Sequence, residues 1–246
     1  MAVRFVAVGE LLVDVIAAGA GHGARIRVRP AGSAFNAAVA AVAAGADATV
    51  IGTVGDDAPG RMIVRELKAH GIRPLVTVAG ATGTFLLTDG ETRVDCGDSH
   101  QPAPAGPVAA DAVLVSGYLP HAADVLASAD AAWVALDAAR LAELPPGGNA
   151  VVANEEVALS LTGRSTEAAA RRLAEGRRLA CVTLGDRGAL AVMDDRVERV
   201  RAPAIAADAP GSGDAFAATL LVSLARGDDL ADAMGHAAGA ALDSLA

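Results

Sequence analysis

Lysine is all but missing. Lys68 is the single one in 246 residues, so any phosphate contact has to come from backbone amides, arginine or a metal rather than from a lysine point charge. Aromatic residues make up 2% of the chain, too few for the stacking platforms that hold single-stranded nucleic acids. Positive charge is short as well: 20 Lys and Arg against 29 Asp and Glu leave a formal net charge of -9 and a pI near 5.0. A nucleic-acid partner needs the opposite balance and is excluded. Cysteine is limited to Cys96 and Cys181. They are far apart, with no CxxC and no histidine cluster, and read as ordinary thiols in a reducing cytosol. Long apolar runs are lacking too. The mean hydropathy of +0.40 comes mostly from Ala and Val, and no span of about 20 residues escapes Gly, Asp or Arg. Met1–Glu10 has one Arg and turns acidic at its end, unlike a signal peptide. A soluble, cytoplasmic protein with a small-molecule partner and no membrane contact is expected.

What is present is core material. With 53% hydrophobic and 20% charged residues, residues 1–246 can bury a full core, as one large domain or as one large plus one small domain. Arg4–Val8 is a short apolar run ended by Gly9, which suits a buried strand. Glu10 and Asp14 follow at its end, where α/β sheets collect ligands, or where a strand end is merely solvated. Arg25, Arg27 and Arg29 then alternate with Ala24, Ile26 and Val28, the period of an exposed strand. Ala31–Asn36 leads into a small-residue helix through Ala44, stopped by Gly45. Asn36, near the helix start, faces a ligand or bonds to its own turn. Ala48–Val54 predicts a strand, and Pro59 opens a helix that runs to Gly71. Gly55–Gly60 has phosphate-loop spacing but continues Arg61-Met62, without the Lys and Ser or Thr of a Walker loop.

Thr84–Thr88 and Thr92–Cys96 flank Asp89-Gly90, a hairpin signal, and Gln101–Pro107, with its three prolines, predicts a linker. Ala112–Val115, Trp133–Leu136, Ala150–Ala153 and Leu179–Gly185 extend a sheet in parallel order, with an alanine-rich helix between the first two. Asn154 caps a helix that ends at Thr162-Gly163. Ala189–Met193 and Val197–Arg201 form a hairpin, and a last helix covers about 229–245.

The most informative stretch is Asp208–Phe216. Arg201–Ala207 reads as an extended segment broken by proline, whereas Ala215–Arg226 reads as a helix stopped by Gly227. The N–H groups of Gly211, Ser212 and Gly213 therefore point out of a helix start and form a candidate anion hole. Asp214 sits beside it. The helix dipole favours its negative form, so it is expected to be ionised at neutral pH and able to take a proton from an alcohol. A cap and a plain glycine turn are the structural alternative.

Asp208, Gly211, Gly213, Asp214 and Phe216 match D-x-x-G-x-G-D-x-F, which resembles the C-terminal signature of the ribokinase-like (PfkB) carbohydrate kinases. Ala209 and Ser212 stand where that family usually has Thr and Ala. Ala31-Gly32 followed by Asn36 is similar to its first signature, with Ala31 replacing the first of two glycines. The resemblance implies a single α/β domain with a mainly parallel sheet, helices on both faces, and a small β lid from about 16–30 and 82–98. It implies ATP-dependent phosphorylation of a sugar or sugar-acid hydroxyl, with Asp214 as base and the amides of Gly211, Ser212 and Gly213 at the transferring phosphoryl group. Asp14, Gly32 and Asn36 would hold the sugar. Asn154, Thr183, Gly185, Gly188 and Asp208 would hold ATP, with Mg2+, a monovalent cation as a further option, and a homodimer formed through the lid. At Asn-x-x-Glu the family glutamate is replaced by Val157, so only Asn154 transfers and the metal ligands stay unassigned.

Within that reading fructose, ribose, 2-keto-3-deoxygluconate and a nucleoside remain open, and Gly9-Glu10-x-x-x-Asp14 is most similar to the fructokinase and ketodeoxygluconate kinase branch. A catalytically weakened sugar-binding or regulatory homologue is the alternative outside catalysis. A nucleotide-dependent oxidoreductase needs a glycine fingerprint after the first strand, and Gly9-Glu10-Leu11-Leu12 is not one.

Overall fold

A computed structural model describes residues 1–19, 21–88, 91–99, 108–138, 141–201 and 211–243. Its strands are β1 (Arg4–Val8), β2 (Leu12–Ala18), β3 (Arg25–Ala31), β4 (Asp47–Val54), β5 (Arg73–Val78), β6 (Gly83–Leu87), β7 (Thr92–Asp95), β8 (Val108–Ala109), β9 (Ala112–Ser116), β10 (Ala129–Asp130), β11 (Trp133–Asp137), β12 (Ala150–Asn154), β13 (Leu179–Thr183), β14 (Ala189–Met193) and β15 (Arg196–Val200). The helices are α1 (Ser33–Ala43), α2 (Ala58–Ala69), α3 (Ala122–Ser128), α4 (Glu155–Thr162), α5 (Thr166–Ala174), α6 (Ser212–Arg226) and α7 (Leu230–Asp243).

Nine strands form one sheet in the order β15-β14-β13-β12-β11-β9-β1-β4-β5. From β13 to β5 every neighbouring pair is parallel, while β14 and β15 add an antiparallel edge. The continuous apolar runs of the central strands follow from this position, because a parallel sheet is covered on both faces. Alternation sorts the side chains. Phe5 and Ala7 of β1, with Ala112 and Leu114 of β9, enter a core shared with α1, α2, α6 and α7. Val6, Val8, Val113 and Val115 face the other way, toward α3. Further along that second face, Val151, Ala153, Ala180 and Val182 pack on α4 and α5. The fold is thus a mainly parallel α/β sheet with helices on both faces. Two further sheets complete it, one of four strands, β3-β2-β6-β7, and one of two, β10-β8.

Cys181 lies in the middle of β13 with no exposed surface, and burial pushes its thiol up to about 12. Cys96 follows β7 and is partly exposed. Among the described residues no helix is long and apolar enough to cross a membrane.

The structure departs from the sequence expectations in several places. β5 is an unforeseen strand; Pro74 within it obscured the pattern, yet the strand lies at the sheet edge, where a missing donor is tolerated. α5 is also additional, a short helix that buries only Ala169, Ala170 and Leu173 beneath a charged face. Asp14 does not sit at the end of β1 but inside β2, on the small sheet. α6 begins at Ser212, three residues before the expected Ala215, because Gly211 adopts a left-handed φ of 95° and serves as its N-cap. Asp89-Gly90, the Gln101–Pro107 linker, residues 202–207 of the extended segment, and Asp208 lie outside the described residues.

Candidate active site

Polar residues end several of the parallel strands at one edge of the sheet. Ser116 closes β9, Asp137 closes β11, Asn154 closes β12 and Thr183 closes β13, while Glu10 stands two residues after β1. Open α/β sheets bind ligands outside these ends.

Glu10 anchors the α1 side. It is 6% exposed; its Oε1 accepts from the Ser33 amide at 3.1 Å and its Oε2 from the Ser116 hydroxyl at 2.8 Å. A carboxylate on the first amide of α1 suits the helix dipole. Gly32, the N-cap of α1, has φ 103°, and a Cβ there would lie 2.3 Å from the Glu10 carbonyl oxygen. Only glycine fits that contact. On the small sheet, Asp14 is 5% exposed and pairs in register with Arg29. Arg29 Nε donates to Asp14 Oδ2 at 3.0 Å, and Nη2 lies 2.9 Å from the same oxygen. Burial pushes the Asp14 carboxyl above its ordinary value, against the downward pull of Arg29. Both contacts fall on Oδ2. Arg29, Asn36 and Gly211 share the wall of one cleft of about 700 Å³, so Arg29 of the small sheet and the start of α6 border the same space.

Asp214 is the third residue of α6. Its Oδ2 accepts from Asn36 Nδ2 of α1 at 2.9 Å. The two residues are 178 positions apart in the chain. Gly211 makes this approach possible, since a Cβ there would sit 2.9 Å from Asn36 Nδ2. The first intrahelical bond runs from the Ala215 amide to the Gly211 carbonyl at 3.0 Å, so the amides ahead of it are those of Ser212, Gly213 and Asp214. The expected set, Gly211, Ser212 and Gly213, falls within this start, since the amide of the N-cap Gly211 likewise has no partner inside the helix. Around Gly213 the space is open, with no heavy atom within 4 Å of a would-be Cβ. Such a cradle fits a phosphate group.

The proton affinity of Asp214 refines the sequence expectation. The dipole argument considered α6 alone, whereas burial first, then the charge of Asp137, and less strongly that of Glu10 push its proton affinity well above the ordinary aspartate value, and the Asn36 hydrogen bond offsets only part of this, so Asp214 is a stronger base than the dipole by itself implies. Desolvation and two like charges outweigh one helix end. Asp137 and Ser116 were not singled out in the sequence. Each is a lone polar residue ending an apolar run, the same signal that drew attention to Glu10.

Asn154 and Thr183 stand side by side, paired in the β12/β13 register. Asn154 Oδ1 caps α4 by accepting from the Val157 amide at 2.8 Å, which directs its amide nitrogen outward. Gly188 closes the following turn by accepting from the Leu184 amide at 2.7 Å, and Gly185 opens it. Val157 is buried in the apolar cluster of α4 and α5 and Glu156 is exposed, while Glu155 is engaged by Thr166 at 2.7 Å and by Arg187. The structure therefore places Asp14, Gly32 and Asn36 on the β1 side of Asp214, and Asn154, Thr183, Gly185 and Gly188 on the β12 and β13 side.

The family description "pfkB family carbohydrate kinase" matches residues 3–242. The chain belongs to this family. This kinase is similar in fold to ribokinase from Arabidopsis thaliana complexed with ribose and ATP, at a TM-score of 0.79 and 20% identity, covering 98% of this chain and 92% of that one. Adenosine kinase from Sinorhizobium meliloti gives a TM-score of 0.79 at 21% identity, covering 98% and 93%. Ribokinase from Thermotoga maritima gives 0.80 at 19%, covering 97% and 91%. No protein of curated function matches the sequence.

Proposed function

We propose that this kinase transfers the γ-phosphoryl group of ATP to a hydroxyl of a small sugar or sugar acid, with Asp214 as the proton acceptor. The observation that carries this reading is Asp214 itself, a carboxylate of raised proton affinity held by Asn36 at the start of a helix whose first amides lack intrahelical partners. In the transfer the acceptor oxygen bonds to phosphorus, the bond between phosphorus and the ADP oxygen breaks, and the hydroxyl proton passes to Asp214. The amides of Ser212, Gly213 and Asp214 stabilise the charge on the phosphoryl oxygens. Asp14, Gly32 and Asn36 line the acceptor side. Asn154, Thr183, Gly185 and Gly188 line the nucleotide side.

Magnesium, when bound, neutralises charge on the phosphates. Among the described residues no group of three or more His, Cys, Asp or Glu is placed to hold a metal ion, and magnesium binds well through phosphates and water. The four-stranded sheet acts as the lid of a single domain. Its edge strand β3 exposes Ile26 and Val28, at 67% and 46%, which supports pairing with a second copy through the lid. A cytoplasmic enzyme is consistent with the acidic, cysteine-poor chain.

An ATP-consumption screen over neutral sugars, sugar acids and nucleosides tests the reaction; no turnover with any of them would overturn it. Within that reading Asp14→Ala is expected to weaken acceptor affinity about 10- to 100-fold, the loss of a hydrogen bond to a charged group, with ATP affinity nearly unchanged. Calorimetry with each ligand separately measures both. Equal losses would make Asp14 a structural residue of the Arg29 pair.

A further inference from the structure

We propose that Asp137 is a positioning residue of this reaction: its carboxylate, at the end of β11, faces the start of α6 and keeps Asp214 a strong enough base to take an alcohol proton near neutral pH. The inference rests on the kinase reading and assigns a role to a residue that the family signatures do not include. Asp137 and Asp214 line the same narrow cavity, together with Ser33 and Ser116. Elements that meet only through the fold supply those four groups: the end of β9, the end of β11, the start of α1 and the start of α6.

The groups that face Asp214 can be named element by element. From α1 comes the neutral amide of Asn36, which donates to Oδ2 at 2.9 Å. After β1 comes Glu10, whose two oxygens are committed to the Ser33 amide and the Ser116 hydroxyl. From β11 comes Asp137, whose charge acts on Asp214 more strongly than that of Glu10. Arg29, the cation on the cleft wall shared with Asn36 and Gly211, is tied to Asp14. The base therefore sits among like charges. Two carboxylates in one desolvated space do not both ionise easily, so they hold one proton between them more tightly than either would alone.

This arrangement has a chemical use. A catalytic base works best when its proton affinity lies near the operating pH, where it is still ionised yet strong. An ordinary aspartate is ionised but weak as an acceptor from an alcohol. Asp137 does not touch the reacting atoms and raises the strength of the group that does. Through the cycle the proton moves from the acceptor hydroxyl to Asp214 and is released to solvent after the phosphorylated product departs, so Asp137 ends each turnover unchanged.

The test compares wild type with Asp137→Asn, which keeps the side-chain size and removes the charge. The acid limb of kcat/KM against pH should move to lower pH by about one unit, the coupling at which two carboxylates titrate as a pair, and turnover on the high-pH plateau should fall as the base weakens. Glu10→Gln should move the limb the same way by less. A uniform drop at every pH with the limb in place would overturn the proposal and leave Asp137 a structural residue. Carboxyl 13C titration of Asp214 in the same proteins reads the effect without turnover. A downward shift there in Asp137→Asn, in a protein inactive on every acceptor, would support the pairing while refuting the kinase reading. An unshifted Asp214 titration would refute the pairing itself. If Asp137→Asn does not fold, Asp137→Ser supplies the same comparison.

Discussion

Asp214→Asn is expected to lower turnover by about 10²- to 10⁴-fold, the usual contribution of a general base, and at the same time to raise the melting temperature. The first effect follows because Asn keeps the volume and the contact with Asn36 but offers no site for the acceptor proton. The second follows from linkage. Asp214 binds its proton more tightly in the folded chain than in the unfolded one, where it titrates near 3.9. The contribution of Asp214 to folding stability is then greatest below that value and is lost as pH rises through the higher folded value, because the folded state must release a proton it holds more firmly. At neutral pH an uncharged Asn escapes that penalty, and each kcal/mol regained is worth about 2–4 °C for a chain of this size. Steady-state kinetics and calorimetric melting at pH 7 measure both effects. Near wild-type turnover would remove Asp214 from the mechanism, and a lowered melting temperature would show that its charge stabilises the fold. The same proton makes the wild-type rate fall with acidification at a pH above the ordinary aspartate range.

Gly32→Ala is expected to cost about 3 kcal/mol or more. The φ of 103° at Gly32 lies in a region that side chains rarely adopt, and the added Cβ would come within 2.3 Å of the Glu10 carbonyl oxygen and 3.1 Å of the Leu11 Cα. Both neighbours are backbone and cannot rotate away. Relief requires α1 to move off β1, which would break the Ser33 amide to Glu10 bond and withdraw Asn36 from Asp214. Melting temperature should therefore drop by about 6–12 °C, with activity falling further than stability alone explains. Thermal melting and turnover on the folded fraction measure the two losses. A Gly32→Ala protein that melts like wild type would mean that the turn before α1 is pliable.

Much of this site could be read from the chain. The small-residue loop before α6, the asparagine of α1 and the polar residues after β1 all carry local signals: glycine where backbone approaches closely, and polarity where an apolar run stops. Strands such as Ala112–Ser116 and Leu179–Thr183 were equally plain, because burial on both faces leaves little room for polar residues. β5 and α5 were obscure for the reverse reason. β5 contains a proline that only its edge position excuses, and α5 buries one thin stripe under Glu167, Arg171 and Arg172. Asp137 was hidden in another way. Its importance comes from closeness to a residue 77 positions later in the chain, and nothing local to Leu136-Asp137 encodes that distance. The raised proton affinity of Asp214 was hidden for the same cause: the dipole is a local property of α6, whereas the opposing charges arrive from β11 and from Glu10 after β1.

The placement of the two thiols makes this kinase its own reporter of local opening. Cys181, in the centre of β13, cannot react with a maleimide until the large sheet separates, so its labelling rate should follow the free energy of global unfolding. Cys96, just after the last strand of the small sheet and partly exposed, should label far faster. If the small sheet closes over a bound acceptor, adding that acceptor should slow labelling at Cys96 at concentrations near its dissociation constant. Mass spectrometry of the two cysteine peptides would then time the small sheet and the core separately in one sample, without any introduced cysteine.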